Sequence, residues 1–145
     1  MEKVLKQIAV GSLLIATHGI FALDLEVEIL NRKSPNSKIT CGVFETEVGF
    51  PSDSDKRLVG DVGKTENGKT VCRFTGLPKK SYAVAVMEDL NGNGKMDSTF
   101  VGFPKEPWGV SNDAPMQTFG PPKFQEALFS LTENKKITIR LNQPN

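Results

Sequence analysis

Oxygen-bearing side chains recur at alternate positions in the segment 89–97, where they could gather around a single cation. The candidate ligands are Asp89, Asn91, Asn93, Lys95 through its backbone carbonyl, and Asp97. Alternate oxygens can converge on one ion when the chain curls around it, and Gly94 permits the sharp turn that this needs. This spacing resembles the start of an EF-hand loop, so we predict a calcium site here.

The match to an EF-hand ends at the twelfth position of the loop. Phe100 stands where an EF-hand carries a bidentate glutamate, and no helical pattern flanks the segment. Glu88, Asp113 or a backbone carbonyl would have to complete the oxygen shell, and the expected dissociation constant is about 10⁻⁴–10⁻³ M. The alternative is a plain turn, because the two Asn-Gly dipeptides of this segment form tight turns without any metal.

Two other groups of residues would support different functions. Trp108, the single tryptophan, could stack on a ligand and make the chain a carbohydrate- or peptide-binding module. Alternatively, Trp108, Phe103 and Phe119 pack the long loop onto the rest of the domain. Glu106 and Asp113 could act as the paired loop carboxylates of a small glycan hydrolase.

The N-terminal residues have the pattern of a secretory signal peptide. Lys3 and Lys6 give a positive start, an apolar run covers residues 8–16, and Ala22 precedes an alternating polar segment. The apolar run is much shorter than the roughly 20 residues of a membrane-spanning helix. We therefore predict a signal peptide over residues 1–22 and one mature domain over residues 23–145, periplasmic or secreted, without a membrane span. An uncleaved anchor or a buried helix is the alternative.

Removal of residues 1–22 would exclude several functional classes. It takes away His18, the only histidine, and so excludes Ser-His-Asp, Cys-His and His-ligated zinc chemistry. It also leaves equal numbers of acidic and basic residues, which provides no basic excess for nucleic acid. A non-enzymatic module is the function that these exclusions favour.

Apolar side chains alternate with polar ones through most of the mature chain, which predicts short half-buried strands. The pattern covers residues 25–29, 39–44, 57–62 and 71–75, with Asn67-Gly68 as a tight turn. Residues 82–87 are apolar almost throughout, which predicts a central strand covered on both faces. Residues 127–131 and 137–141 are expected to pair as a hairpin.

An all-β Greek-key sandwich of about seven strands accounts for these elements, with a small barrel as the second choice. A long irregular loop, rich in Gly, Pro and Asn, spans residues 89–122. Cys41 and Cys72 lie in strand-like runs, and a pair of cysteines in an exported chain tends to close into a disulfide. Two buried free thiols are the alternative.

Two motifs resemble known families. Gly76-Leu77-Pro78 followed by Tyr82 resembles transthyretin-like and carboxypeptidase-regulatory-like sandwiches, in which we expect Tyr82 to be a structural corner bonded to backbone. The pattern from residues 89–97 to Phe119-Gly120-Pro121-Pro122 is similar to an uncharacterised exported bacterial family, domain of unknown function 2141, over about residues 24–142. The resemblance implies a transthyretin-like (immunoglobulin-like) fold and no established activity. Relatives often carry Gly where this chain has Lys80.

Overall fold

The computed structural model describes residues 22–144, which form a sandwich of two β-sheets. The strands are β1 Leu23–Leu30, β2 Lys38–Phe44, β3 Val59–Val62, β4 Lys64–Glu66, β5 Lys69–Leu77, β6 Lys80–Asp89, β7 Trp108–Val110, β8 Phe129–Leu131 and β9 Lys135–Arg140, and the helical turn is α1 Phe124–Ala127. The all-β sandwich is confirmed, with nine strands rather than about seven. The predicted signal peptide lies outside the described residues except for Ala22.

The order of the strands differs from the expected hairpin at the C-terminal end. One sheet has the order β4-β5-β1-β9, and the other has the order β3-β2-β6, with β7 and β8 both paired to β6. β9 runs parallel to β1, so β8 and β9 belong to opposite sheets and their predicted hairpin is wrong. Alternation predicts which face of a strand is buried, but it does not choose the partner strand.

Two apolar clusters occupy the two faces of the β6 sheet. The cluster between the sheets contains Leu25, Val27, Ile29, Ile39, Cys41, Val43, Cys72, Phe74, Leu77, Tyr82, Val84, Val86, Leu131, Ile139 and Leu141. The outer cluster contains Phe44, Ala83, Ala85, Val110, Ala114, Phe124 and Ala127, with Phe50, Trp108 and Leu128 packed against it. The predicted coverage of β6 on both faces is therefore confirmed.

Covalent and polar links tie the two layers at defined points. Cys41 on β2 and Cys72 on β5 form the predicted disulfide, which joins the two sheets with a Cα–Cα distance of 6.5 Å. The Tyr82 hydroxyl donates to the carbonyl of Pro78 at 2.8 Å, so this tyrosine is the expected corner. The disulfide joins the two sheets, and the tyrosine corner fixes the connection between β5 and β6.

Surface ion pairs on the β1–β9 side predict a pH dependence. A hydrogen bond from Lys136 lowers the pKa of Glu26 below 4.5, and a hydrogen bond from Lys69, joined by one from Lys136, does the same for Glu28. A lowered folded-state pKa stabilises the fold above the unfolded value and loses that effect as pH falls through the folded pKa. We therefore expect Lys136→Met to lower the melting temperature most above pH 4.5.

The melting temperatures of wild type and Lys136→Met are measured between neutral and acidic pH. The difference between wild type and Lys136→Met should narrow below pH 4.5, while Lys135→Met, an exposed neighbour, should melt like wild type throughout. A difference that stays constant on acidification would contradict the ion-pair explanation.

Candidate cation loop and the adjacent groove

Asp89 holds the base of the loop at residues 89–97, which follows β6 directly. Its Oδ1 accepts the N–H of Gly92 at 2.7 Å and its Oδ2 accepts the N–H of Gly94 at 2.8 Å. Both glycines have φ near +77°, a left-handed conformation that is unfavourable for other residues. The carboxylate, in a residue only 2% exposed, therefore curls the chain over itself.

The remaining predicted side chains meet above this base. Asn91 Oδ1 accepts the N–H of Asn93 at 3.1 Å, and Asn93 Oδ1 accepts the N–H of Lys95 at 2.9 Å. Both asparagine amides also donate to the carboxylate of Asp97, from Asn93 at 3.1 and 3.2 Å. Lys95 enters this network through its backbone N–H rather than its carbonyl. The structure thus brings together the side chains of the two asparagines and Asp97.

This network defines what a cation would have to change. The amide hydrogens of Asn91 and Asn93 now face the Asp97 carboxylate, so the loop is satisfied by its own groups. Rotation of an amide about its last bond exchanges its donor and acceptor atoms, which would turn oxygen toward Asp97. A cation must therefore compensate for the amide–carboxylate bonds it displaces. Within residues 22–144, no three His, Cys, Asp or Glu side chains are placed to hold a metal ion.

A buried glutamate that sequence reasoning did not assign to the loop clamps its two ends. Glu106 is 3% exposed, and its Oε1 accepts the N–H of Leu90 at 2.8 Å while its Oε2 accepts the N–H of Asp97 at 3.2 Å. The N–H of Lys105 also donates to the carbonyl of Asp97 at 2.7 Å. No local pattern indicates this role, because residue 106 is 16 positions from one partner and 9 from the other.

Glu88, a predicted contributor to the oxygen shell, serves a different loop. Successive strand residues point to opposite faces, so Glu88 turns away from Asp89 into the interior. Its carboxylate accepts the N–H groups of Lys33 at 2.7 Å and Ser34 at 2.8 Å, and also the hydroxyl of Ser37. Glu88 therefore fastens the β1–β2 connection and does not complete a metal shell.

The other two acids named from the sequence are committed to separate segments. Asp113 Oδ1 accepts the N–H of Arg140 at 3.3 Å, at the end of β9, whereas both oxygens of Glu106 accept N–H groups of the cation loop. Asp113 is therefore not placed by these contacts in the oxygen shell. The geometry likewise gives no support to Glu106 and Asp113 as a pair of hydrolytic carboxylates.

The aromatic residues of the long loop behave differently from one another. Trp108 is half-buried on β7 and packs against the outer cluster, as the packing alternative expects. Phe103 and Phe119 are 54% and 97% exposed, so their expected packing onto the sandwich is wrong. Tight backbone turns hold them outward instead, such as the bond from the Gln117 N–H to the Gly120 carbonyl at 3.2 Å.

A groove of about 790 Å³ lies on the outer face of the β6 sheet, next to the cation loop. Strand register places Val62, Thr40, Met87 and Trp108 in one row across the sheet, and Gly60, Gly42, Ala85 and Val110 in the next. The side chains of the second row are short, so this row forms the floor of the groove. Residues 94–96 of the cation loop form part of the wall.

Comparison with known proteins assigns the chain to a group without adding a function. A family model described as an uncharacterised protein conserved in bacteria matches residues 27–140, a range that contains both the loop and the groove. No curated protein and no solved structure matches the chain. No helix within residues 22–144 is long and apolar enough to cross a membrane.

Proposed function

The chain belongs to DUF2141, a family of uncharacterised proteins conserved in bacteria, and we propose that it is a non-enzymatic, exported β-sandwich module whose loop 89–97 binds calcium weakly. The observation that carries the proposal is the convergence of Asn91, Asn93 and Asp97 above the buried Asp89 carboxylate. The clamp from Glu106 supports it further, because a loop that is already closed loses less entropy when it binds an ion.

Calcium is the cation that these groups favour. Calcium is coordinated by six to eight oxygens of carboxylates, amides, backbone carbonyls and water, in flexible geometry. Magnesium instead requires near-ideal octahedral coordination at shorter distances. Asp89 and Asp97 are the only carboxylates among the candidate ligands of the loop. Two negative charges and two displaced amide–carboxylate bonds keep the affinity low, in the range of about 10⁻⁴–10⁻³ M.

An extracytoplasmic location has separate support. The Cys41–Cys72 bond joins the two sheets, and both cysteines are buried. Structural disulfides form and persist in oxidising compartments, which include the bacterial periplasm. This agrees with the secretory pattern of residues 1–22 and with a compartment in which calcium can reach millimolar levels.

We expect calcium to release or absorb heat on binding and to raise the melting temperature. At about 5 mM Ca²⁺ and a dissociation constant of about 1 mM, linkage gives about 1 kcal/mol of added stability. For a domain of this size that is a rise of about 3–6 °C. The full chain, expressed with its N-terminal segment and purified after treatment with a chelator, is titrated calorimetrically and melted with and without Ca²⁺.

Matched variants separate the loop from general charge effects. Asp97→Asn should abolish the calcium response, whereas Asp55→Asn, which removes an exposed carboxylate from another loop, should leave it intact. The absence of heat and of any melting shift in wild type at millimolar Ca²⁺ would reject the calcium site. The plain turn, satisfied by its own amides, would then be the correct interpretation.

A further inference from the structure

Asparagine is followed directly by glycine at three places in the chain, at residues 67–68, 91–92 and 93–94. In such a pair the backbone nitrogen of the glycine can attack the side-chain carbonyl carbon of the asparagine, because glycine has no side chain to hinder the approach. A new N–Cγ bond closes a succinimide ring, the Cγ–Nδ2 bond breaks, and ammonia leaves with the proton of the glycine N–H. Water then opens the ring to aspartate or isoaspartate. The reaction needs no enzyme and no oxidant, so the local structure of each pair decides where it proceeds.

One buried carboxylate holds the attacking nitrogens of both pairs in the cation loop. The N–H of Gly92 donates to Asp89 Oδ1 at 2.7 Å, and the N–H of Gly94 donates to Asp89 Oδ2 at 2.8 Å. Asp89 is only 2% exposed, and a hydrogen bond to an ionised acceptor is stronger than one between neutral groups. Each nitrogen must lose this bond before it can attack.

The amide groups that would be attacked are held as well. Asn91 Oδ1 accepts the N–H of Asn93 at 3.1 Å, and Asn93 Oδ1 accepts the N–H of Lys95 at 2.9 Å. The nitrogens of both amides donate to the Asp97 carboxylate. Neither side chain can turn its carbonyl carbon toward the following glycine nitrogen without breaking bonds on both sides of the amide. Both partners of the reaction are therefore restrained in this loop.

The pair Asn67-Gly68 has none of these restraints. It forms the two-residue turn between β4 and β5, and the N–H of Gly68 has no backbone acceptor among residues 22–144. Asn67 is exposed, and nothing lies within 4 Å of an ideal Cβ atom on Gly68. β4 is a three-residue strand at the edge of its sheet, and all of its residues are exposed, so the end of this hairpin opens at low cost.

We propose that Asn67 is a site of spontaneous conversion to aspartate and isoaspartate, and that Asp89 prevents the same reaction at Asn91 and Asn93. Conversion at residue 67 adds a negative charge, and isoaspartate also lengthens the backbone of a turn that has only two residues. Protection in the cation loop keeps its two asparagines as amides. The proposal does not depend on calcium binding, because it concerns the loop as its own groups close it.

The full chain is incubated with a chelator at mildly alkaline pH, and the conversion of each asparagine is followed by peptide mapping with mass spectrometry. We expect Asn67 to convert at least about tenfold faster than Asn91 or Asn93, because the loss of one hydrogen bond to a charged group accounts for such a factor. A reduced sample in urea is the control. There the three pairs should convert at similar rates, since folding no longer distinguishes them.

Two variants with equal loss of charge test the role of Asp89. Asp89→Asn keeps one acceptor oxygen but turns an N–H donor toward the other glycine N–H, so conversion at Asn91 or Asn93 should rise about tenfold or more. Conversion at Asn67 should stay the same, and Asp55→Asn, which removes an exposed carboxylate elsewhere, should change none of the three rates.

The proposal is overturned if, in folded wild type, Asn91 or Asn93 converts as fast as Asn67. It is also overturned if Asp89→Asn folds and leaves the rates in the loop unchanged. If Asp89→Asn does not fold, the ratio of the rate in urea to the rate in the folded chain decides for wild type. A large ratio confined to Asn91 and Asn93 supports the proposal, and equal ratios at all three pairs overturn it.

Discussion

Replacing Cys41 and Cys72 together by alanine is expected to lower the free energy of unfolding by about 4 kcal/mol, because the bond closes a long loop and restricts the unfolded chain. The cysteines are 31 residues apart and lie on different sheets, so the bond restrains the arrangement of the whole sandwich. A domain of this kind has a total stability of about 5–15 kcal/mol, so the loss is a large fraction of it.

Urea denaturation of the wild type and of the double alanine variant measures this loss. Wild type unfolded and refolded under reducing conditions provides the control, since it loses the bond but keeps both sulfur atoms. The two should have similar transition midpoints, both well below that of the oxidised protein. A loss of less than about 1 kcal/mol in both would show that the unfolded chain is not significantly restrained by the bond.

Replacing Glu88 by alanine should also cost about 4 kcal/mol, because it leaves buried donors without an acceptor. The fully buried carboxylate accepts the N–H groups of Lys33 and Ser34 and the hydroxyl of Ser37. Each orphaned donor costs about 1–3 kcal/mol. Glu88→Gln keeps one acceptor oxygen and should lose about half as much.

The comparison again uses urea denaturation, with Glu133→Ala as the control because Glu133 is an exposed turn residue without such bonds. Amide hydrogen exchange adds local information, since Lys33 and Ser34 should lose protection in Glu88→Ala before the core strands do. If Glu88→Ala were as stable as Glu133→Ala, water would have to satisfy these donors and the clamp would be unimportant.

Buried acids in this protein act as acceptors for the backbone. Glu88, Asp89 and Glu106 are each at most 3% exposed, and backbone N–H groups donate to both oxygens of every one of them. Charge-assisted bonds of this kind stabilise a buried carboxylate without a neighbouring cation. Carboxylates that accept backbone N–H groups in this way hold loops in shape.

Local patterns in the sequence determined the principal strands and the turn at Asn67-Gly68. The alternation in β1 follows the two-residue period of a strand with one buried face, and the apolar run of β6 is typical of a strand buried on both faces. Asn67-Gly68 favours a tight turn by itself. Asp89, Asn91, Asn93 and Asp97 alternate within nine consecutive residues, and the calcium site that this spacing predicts stays a prediction. Each of these features depends on residues close together in the chain, so the sequence contains the information directly.

Only the tertiary structure decided which distant groups meet. β8 and β9 were expected to pair, yet β8 joins β6 and β9 joins β1, because burial of apolar faces fixes orientation and not partner. The Glu106 clamp and the interior role of Glu88 likewise depend on chain segments that only folding brings together. Such contacts have no period and no motif, since they arise from the packing of the whole sandwich.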